Sequence, residues 1–193
     1  MTDPFALFDQ WYTQARETEI NDSNAMTLAT ADARGRPSAR MVLLKRIDER
    51  GLCFFTHYDS DKGAQIDAHP QAALTLHWKH LQPPAQVRVE GRVEKMGAEE
   101  SDAYFAQRPR LSQIGAWASR QSQTLPDRAT LSERVQRRER EFEGRAVPRP
   151  PRWGGYRVVP DMVEFWYGHA ARLNERVRWE LRDGEWSWRL LYP

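Results

Sequence analysis

Cysteine is almost missing from this chain. Cys53 is the only one, which excludes an intrachain disulfide framework and suits a reducing cytoplasm. Long apolar runs are also missing. The longest are four residues, as in Met41-Val42-Leu43-Leu44, so no segment reads as a bilayer span. The first residues, Met1-Thr2-Asp3-Pro4, are acidic and lead into no apolar stretch, which argues against a secretory signal. Lysine is scarce. Only Lys45, Lys62, Lys79 and Lys95 contribute to 29 basic residues, and 27 acidic ones bring the net charge to +2. That near-balance is not the footprint of a bulk nucleic-acid binder. No Gly-x-Gly-x-x-Gly follows a strand, no Gly-Lys-Ser/Thr phosphate loop occurs, and no Gly-x-Ser-x-Gly elbow is present. His77 and His80 lack a cysteine or acidic partner at zinc-ligand spacing. Cys53, inside an apolar run, reads as a core residue.

What is present is a 193-residue chain, 40% hydrophobic, with eight tryptophans. It is long enough for a real core and reads as one domain over residues 1–193. Codon bias explains most of the arginines, though arginine also suits two-pronged recognition of phosphate. Asp3-Pro4 reads as a helix start. Phe8, Trp11, Tyr12 and Ala15 then predict an amphipathic helix over 4–19. Short strands follow at 25–31, 39–47, 52–57, 72–78 and 86–95, with a short helix from Ser60 to Ala68. Helices are expected at 98–107 and 127–143, the latter with Leu131, Val135 and Phe142 on one face. Further strands are expected at 155–159, 162–166, 176–181 and 186–192. The class is mainly β with helices (α+β), a closed or nearly closed barrel.

Four stretches could carry chemistry. Arg40 and Lys45 close an apolar run at both ends. Five residues apart, they point to opposite faces of an ideal strand and serve two different anions, unless a bulge intervenes. Taken alone, the pair is better explained as snorkelling strand ends. Tyr104, Arg108 and Ser112 offer phenol, guanidinium and hydroxyl donors within one to two turns, enough for a phosphate or for a favourable helix C-terminus. Residues 113–122 join small residues, Trp117 and the amides Gln113 and Gln121. They suit an aromatic heterocycle or a close-packed turn. Finally, Arg172, Asn174 and Arg176 share one face if extended, as a site or as a charged edge strand.

Taken in order, these stretches resemble the pyridoxamine 5′-phosphate oxidase family, also called pyridoxine 5′-phosphate oxidase. The resemblance runs from Asp3 to Pro193. Its specific pieces are residues 40–45, Phe-Phe-Thr-His at 54–57, Arg-Pro-Arg at 108–110, Ser-Gln-Ile-Gly-Ala-Trp at 112–117, Gln-Ser at 121–122, Trp-Gly-Gly at 153–155, Glu-Phe-Trp at 164–166 and Arg-Leu at 172–173. It implies an FMN-binding split β-barrel, completed by the N-terminal helix and the strand region 153–193. It also implies a cytoplasmic homodimer with FMN at the subunit interface, and no nucleic-acid or membrane partner. The implied reaction oxidises pyridoxamine or pyridoxine 5′-phosphate to pyridoxal 5′-phosphate, with O2 as acceptor and H2O2 as product.

By the same resemblance, FMN would be held by Arg40, Met41, Val42, Leu43, Leu44 and Lys45. Phe55, Thr56, Lys62, Gln86, Gln121, Ser122, Trp166 and Arg176 would complete its site. Lys45, Tyr104, Arg108 and Ser112 would grip the substrate phosphate. Arg172, Leu173 and Asn174 would meet the pyridine side, with Arg172 and Asn174 the catalytic pair. Three departures stand out. Asn174 replaces the family's usual histidine, Asp61 stands where arginine often precedes the matching lysine, and the chain starts close to its first helix. A flavin- or pyridoxal-phosphate-binding protein, and an oxidase for another reduced heterocycle, remain open alternatives on sequence alone.

Overall fold

The computed structural model describes residues 3–193; Met1 and Thr2, the start of the acidic terminus read above, lie outside them. Helix α1 spans Pro4–Thr18. Asp3 caps it, its carboxylate accepting from the Phe5 N–H at 2.9 Å, and Pro4 fills the first position, where a missing N–H costs nothing. Its buried face is Phe8, Trp11 and Ala15. Trp11 sits edge-on to Phe165 and Tyr167, with ring centres 5.1 and 4.4 Å away. That contact seals one side of the main core.

The core belongs to a nine-stranded antiparallel sheet. Its strands are β1 (Ala25–Ala31), β2 (Pro37–Leu43), β3 (Arg46–Asp48), β4 (Gly51–His57), β5 (Gln71–Trp78), β6 (Ala85–Lys95), β7 (Trp153–Tyr167), β8 (Glu175–Arg182) and β9 (Glu185–Leu191). The order along the main path is β2-β1-β5-β6-β7-β4-β3, and β8 and β9 branch from β7. The branch has a simple cause. Strand β7 pairs with β6 along its length, but on its other edge Trp153–Val158 pairs with β4 and Met162–Tyr167 pairs with β8. One 15-residue strand thus serves two half-sheets.

The sequence suggests two strands here, at 155–159 and 162–166, on either side of Pro160-Asp161. The structure keeps them continuous. A register shift between Glu90 and Gly91 absorbs the extra residue, as bulges do. Gly91 is required there, since a Cβ would lie 2.0 Å from the Val159 carbonyl oxygen. The expected strand 39–47 is corrected the other way. It breaks after Leu43 and resumes at Arg46.

Four more helices lie off the sheet. They are α2 (Asp61–Ala68), α3 (Ala98–Ala106), α4 (Arg110–Ala118) and α5 (Arg128–Glu141). Helix α4 covers much of 113–122, where the sequence offers a close-packed turn as one reading and predicts no helix. A second buried cluster, built on Phe105, Ile114, Phe142, Val147 and Trp153, holds α3 and α4 to the start of β7. Phe142 is buried there and the half-buried Val135 packs against it, as expected, while Leu131, also half-buried, stands outside that cluster. No described helix is long and apolar enough to cross a membrane.

Candidate active site

The break between β2 and β3 builds the first wall of the site. The Leu44 N–H donates to the Asn24 carbonyl at 2.8 Å, and the Lys45 N–H donates to the Cys53 carbonyl at 2.9 Å. The chain thereby leaves β1 and joins β4 within two residues. Leu44 turns into the core, 3% exposed, and Lys45 emerges on the same cavity as Arg40. The five-residue spacing that predicts opposite faces is overridden by this break.

The second wall is the elbow between α3 and α4. Tyr104 closes α3, Arg108 lies in the link, and Ser112 opens α4. Gln113 holds the elbow, its Nε2 donating to the carbonyls of Phe105 at 2.9 Å and Ala106 at 3.3 Å. The sequence carried a signal for α4 that its small residues obscured. Pro109 precedes it as a helix start, and Ile114 and Ala118 recur at helical spacing on its buried face.

Between these walls lies a cavity of about 860 Å³. Arg40, Met41, Val42, Leu43 and Lys45 line one side. Phe55, Thr56, Lys62 and Gln121 line its floor. Tyr104, Arg108 and Ser112 line the side opposite. His57, Gln107 and Trp153 also face it; the sequence analysis did not assign them to a site.

The floor is a network of neutral acceptors around one buried cation, Lys62, and one half-buried cation, Arg40. Lys62 Nζ donates to Thr56 Oγ1 at 3.2 Å, Ser60 Oγ at 3.2 Å and Gln121 Oε1 at 3.1 Å. Arg40 donates to Thr30 Oγ1 at 2.5 Å and Gln65 Oε1 at 3.0 Å. No carboxylate lies within 4.0 Å of the charged heads of Arg40, Lys45, Lys62 or Arg108 among the described residues. Burial lowers the Lys62 pKa from the usual lysine value, and neighbouring Arg40 pushes the same way while Asp61 opposes. Burial likewise lowers Arg40 and Arg108. Cations held in this way lack the counter-charge that buried charges normally find. An anion entering the cavity would supply it.

Above the floor, Phe55 stacks on Tyr104 with ring centres 3.9 Å apart and planes 18° from parallel. Trp153 lies nearly parallel to both, at 14° and 5°. The Arg108 guanidinium sits over the Trp153 ring, 4.6 Å from its centre. Burial raises the Tyr104 phenol, with Arg108 opposing, so the phenol stays a neutral donor.

The remaining sequence-assigned residues do not line this cavity. The Ser122 hydroxyl accepts from the Asp61 N–H at 3.1 Å, at the start of α2. Gln86 pairs across the sheet with Trp166. Trp166, Arg172 and Asn174 border a separate groove of about 560 Å³ with Pro84, Gly168 and His169. The condition that would put Arg172, Asn174 and Arg176 on one face, an extended run over 172–176, is not met. Residues 170–172 form a short 3-10 turn, with positive φ at Ala171 and Arg172, and Asn174 Oδ1 accepts from the His169 N–H at 3.1 Å. Leu173 is exposed. Arg176 lies on β8, doubly bonded to the buried Glu164 at 3.0 and 2.8 Å.

Residues 12–140 match the family described as pyridoxamine 5′-phosphate oxidase. The chain belongs to that family. Residues 153–193 match the pyridoxine 5′-phosphate oxidase C-terminal dimerisation region, the segment that carries β7, β8 and β9. A pyridoxine/pyridoxamine 5′-phosphate oxidase from Chromohalobacter salexigens is 53% identical over 96% of this chain and 85% of its own. The enzyme of that name from Xanthomonas euvesicatoria is 53% identical over the full length of both. Among solved structures, PhzG from Burkholderia lata, in complex with tetrahydrophenazine-1-carboxylic acid, superposes with a TM-score of 0.94 at 32% identity. That alignment covers 100% of this chain and 94% of PhzG. A pyridoxamine 5′-phosphate oxidase-related FMN-binding protein from Nostoc punctiforme shares the fold, with a TM-score of 0.77 at 16% identity over 99% of this chain and 98% of that one. The forked sheet is the family's split barrel.

Proposed function

We propose that this protein oxidises pyridoxamine 5′-phosphate and pyridoxine 5′-phosphate to pyridoxal 5′-phosphate, using bound FMN and molecular oxygen. The observation that carries the reading is the cavity in which Arg40, Lys45, Lys62 and Arg108 converge without carboxylate partners, beside stacked aromatic rings. FMN fits this donor set. A phosphate monoester needs cations and hydroxyls, which Arg40, Lys62 and Thr56 supply at the floor. Arg108 Nη1 is buried with no hydrogen-bond partner among the described residues, which marks a second position for an anion.

Bound FMN would supply the hydride acceptor for C4′ of the substrate and the route by which two electrons reach O2 as H2O2. The amine substrate also consumes one water and releases ammonia; the alcohol needs neither. The chain's own residues bind and orient. Lys45, Tyr104, Arg108 and Ser112 hold the substrate phosphate and so fix one end of the ring. Phe55 supplies a flat apolar wall, and Gln121 anchors the Lys62 ammonium.

Gln86, Trp166, Arg172, Leu173, Asn174 and Arg176 lie away from this cavity within one chain. We infer that a second copy brings its own set to it, in a homodimer formed through the region 153–193. Arg172 would then cover the pyridine ring, and Asn174 would orient its polar edge. The test is aerobic turnover by the FMN-reconstituted protein. Equal amounts of pyridoxal 5′-phosphate and H2O2 from pyridoxamine 5′-phosphate support the reading. Absence of both, with turnover of a reduced tricyclic carboxylate instead, overturns it.

A further inference from the structure

A carboxylate that aligns an arginine occupies part of its N–H edge. Arg108 is aligned differently. Its guanidinium lies over the faces of Trp153 and Phe105, at 4.6 and 5.6 Å from the ring centres. A ring face attracts a cation without taking its in-plane donors. The side chain is half-buried, yet its Nη1 has no acceptor among the described residues. The guanidinium therefore borders the cavity with donor capacity that no acceptor among the described residues uses.

The Trp153 ring is itself fixed. It is 4% exposed. Phe55 lies parallel to it at 5.5 Å, and Phe105 meets it at 5.1 Å with planes 69° apart. Its backbone is tied as well, its N–H donating to the Pro150 carbonyl at 3.0 Å and its carbonyl accepting from Arg149 Nη1 at 2.7 Å. A rigid indole face on the first residue of β7 thus presents Arg108 to the cavity.

We propose that Trp153 is a positioning residue. Its ring face holds Arg108 with its donors free, and so sets the preference for phosphorylated over unphosphorylated ligands. This rests on the functional reading above.

The experiment compares wild type, Trp153→Phe and Trp153→Leu as FMN-loaded proteins. Dissociation constants are measured by calorimetry for pyridoxal 5′-phosphate and for pyridoxal. Trp153→Leu is expected to weaken the phosphorylated ligand roughly ten-fold, the scale of a partly desolvated cation–π contact. Trp153→Phe should weaken it less, and in both variants pyridoxal should lose clearly less affinity than pyridoxal 5′-phosphate. Should the leucine variant not fold, the phenylalanine variant decides alone, through a selective loss of roughly three-fold. Unchanged affinity for the phosphorylated ligand, or equal loss for both ligands, overturns the inference. A wild-type protein that binds the two ligands equally overturns the functional reading along with it.

Discussion

Lys62 Nζ lies 3.1 Å from Gln121 Oε1, although 59 residues separate them in sequence. The amide oxygen also accepts from Thr56 Oγ1 at 2.9 Å. A lysine from the start of α2, a threonine from β4 and a glutamine from the loop after α4 therefore act as one unit. Removing the charge from that unit has a definite expected cost. Lys62→Gln should weaken FMN binding roughly ten- to hundred-fold, the range for a charge-assisted hydrogen bond, as measured by quenching of flavin fluorescence.

The same lysine gives FMN affinity an alkaline limb. Its pKa lies below the usual lysine value because of burial first and Arg40 second. The charged form binds phosphate, so affinity should fall as pH rises, starting earlier than for an exposed lysine. Lys62→Arg should remove that limb, because a guanidinium stays charged. A titration of FMN affinity against pH in both proteins checks this.

Asp61 faces the two floor cations and opposes the lowering of their pKa values. Its charge also competes with the phosphate for them. Asp61→Arg should tighten FMN binding by a few-fold, about the size of an exposed charge interaction, and the gain should shrink with added salt. Equal affinity in both proteins at low salt would remove Asp61 from the account.

Asn174 cannot titrate near neutral pH, unlike histidine. Its side-chain oxygen is engaged by the His169 N–H. The residue at 174 should therefore orient substrate and not act as an obligatory base. Asn174→His is expected to change kcat by only a few-fold. A rise of orders of magnitude at constant substrate affinity would contradict that role.

Glu164 is 2% exposed and accepts from Arg176 and Arg178 at 2.7 to 3.0 Å. Burial alone would raise its carboxyl pKa, but hydrogen bonds from Arg178 and Arg176 and the charge of Arg88 bring it below the usual value. The stabilisation is therefore present above the ordinary glutamate range and is lost as pH falls through the depressed value. Glu164→Gln should cost about 2 kcal/mol near neutral pH, since it leaves two half-buried arginines without a counter-charge. Denaturant midpoints of the two proteins should converge in acid.

Most of the sheet was legible because its strands alternate and its turns carry strong signals. Residues 25–31 and the Asp3-Pro4 helix start are recovered almost to the residue. The continuity of β7 through Pro160 was not legible, because proline usually ends a strand and the bulge opposite Gly91 is what lets β7 continue. Lys45 was assigned by resemblance, but its geometry was not legible. The switch of partners at Leu44–Lys45 depends on β4, far away in register. The groove around Arg172 and Asn174 was illegible for a different reason. An extended reading has no way to foresee a turn with Ala171 and Arg172 at positive φ, which L-residues rarely adopt.

The central claim is that one cavity seats FMN and a phosphorylated B6 substrate together. The direct measurement is an anaerobic titration of the FMN-loaded protein with pyridoxamine 5′-phosphate, following the visible flavin band. The account predicts that the yellow colour bleaches with the phosphorylated substrate, bleaches far more weakly with pyridoxamine at the same concentration, and returns when oxygen is admitted. A flavin band unchanged by pyridoxamine 5′-phosphate would contradict it.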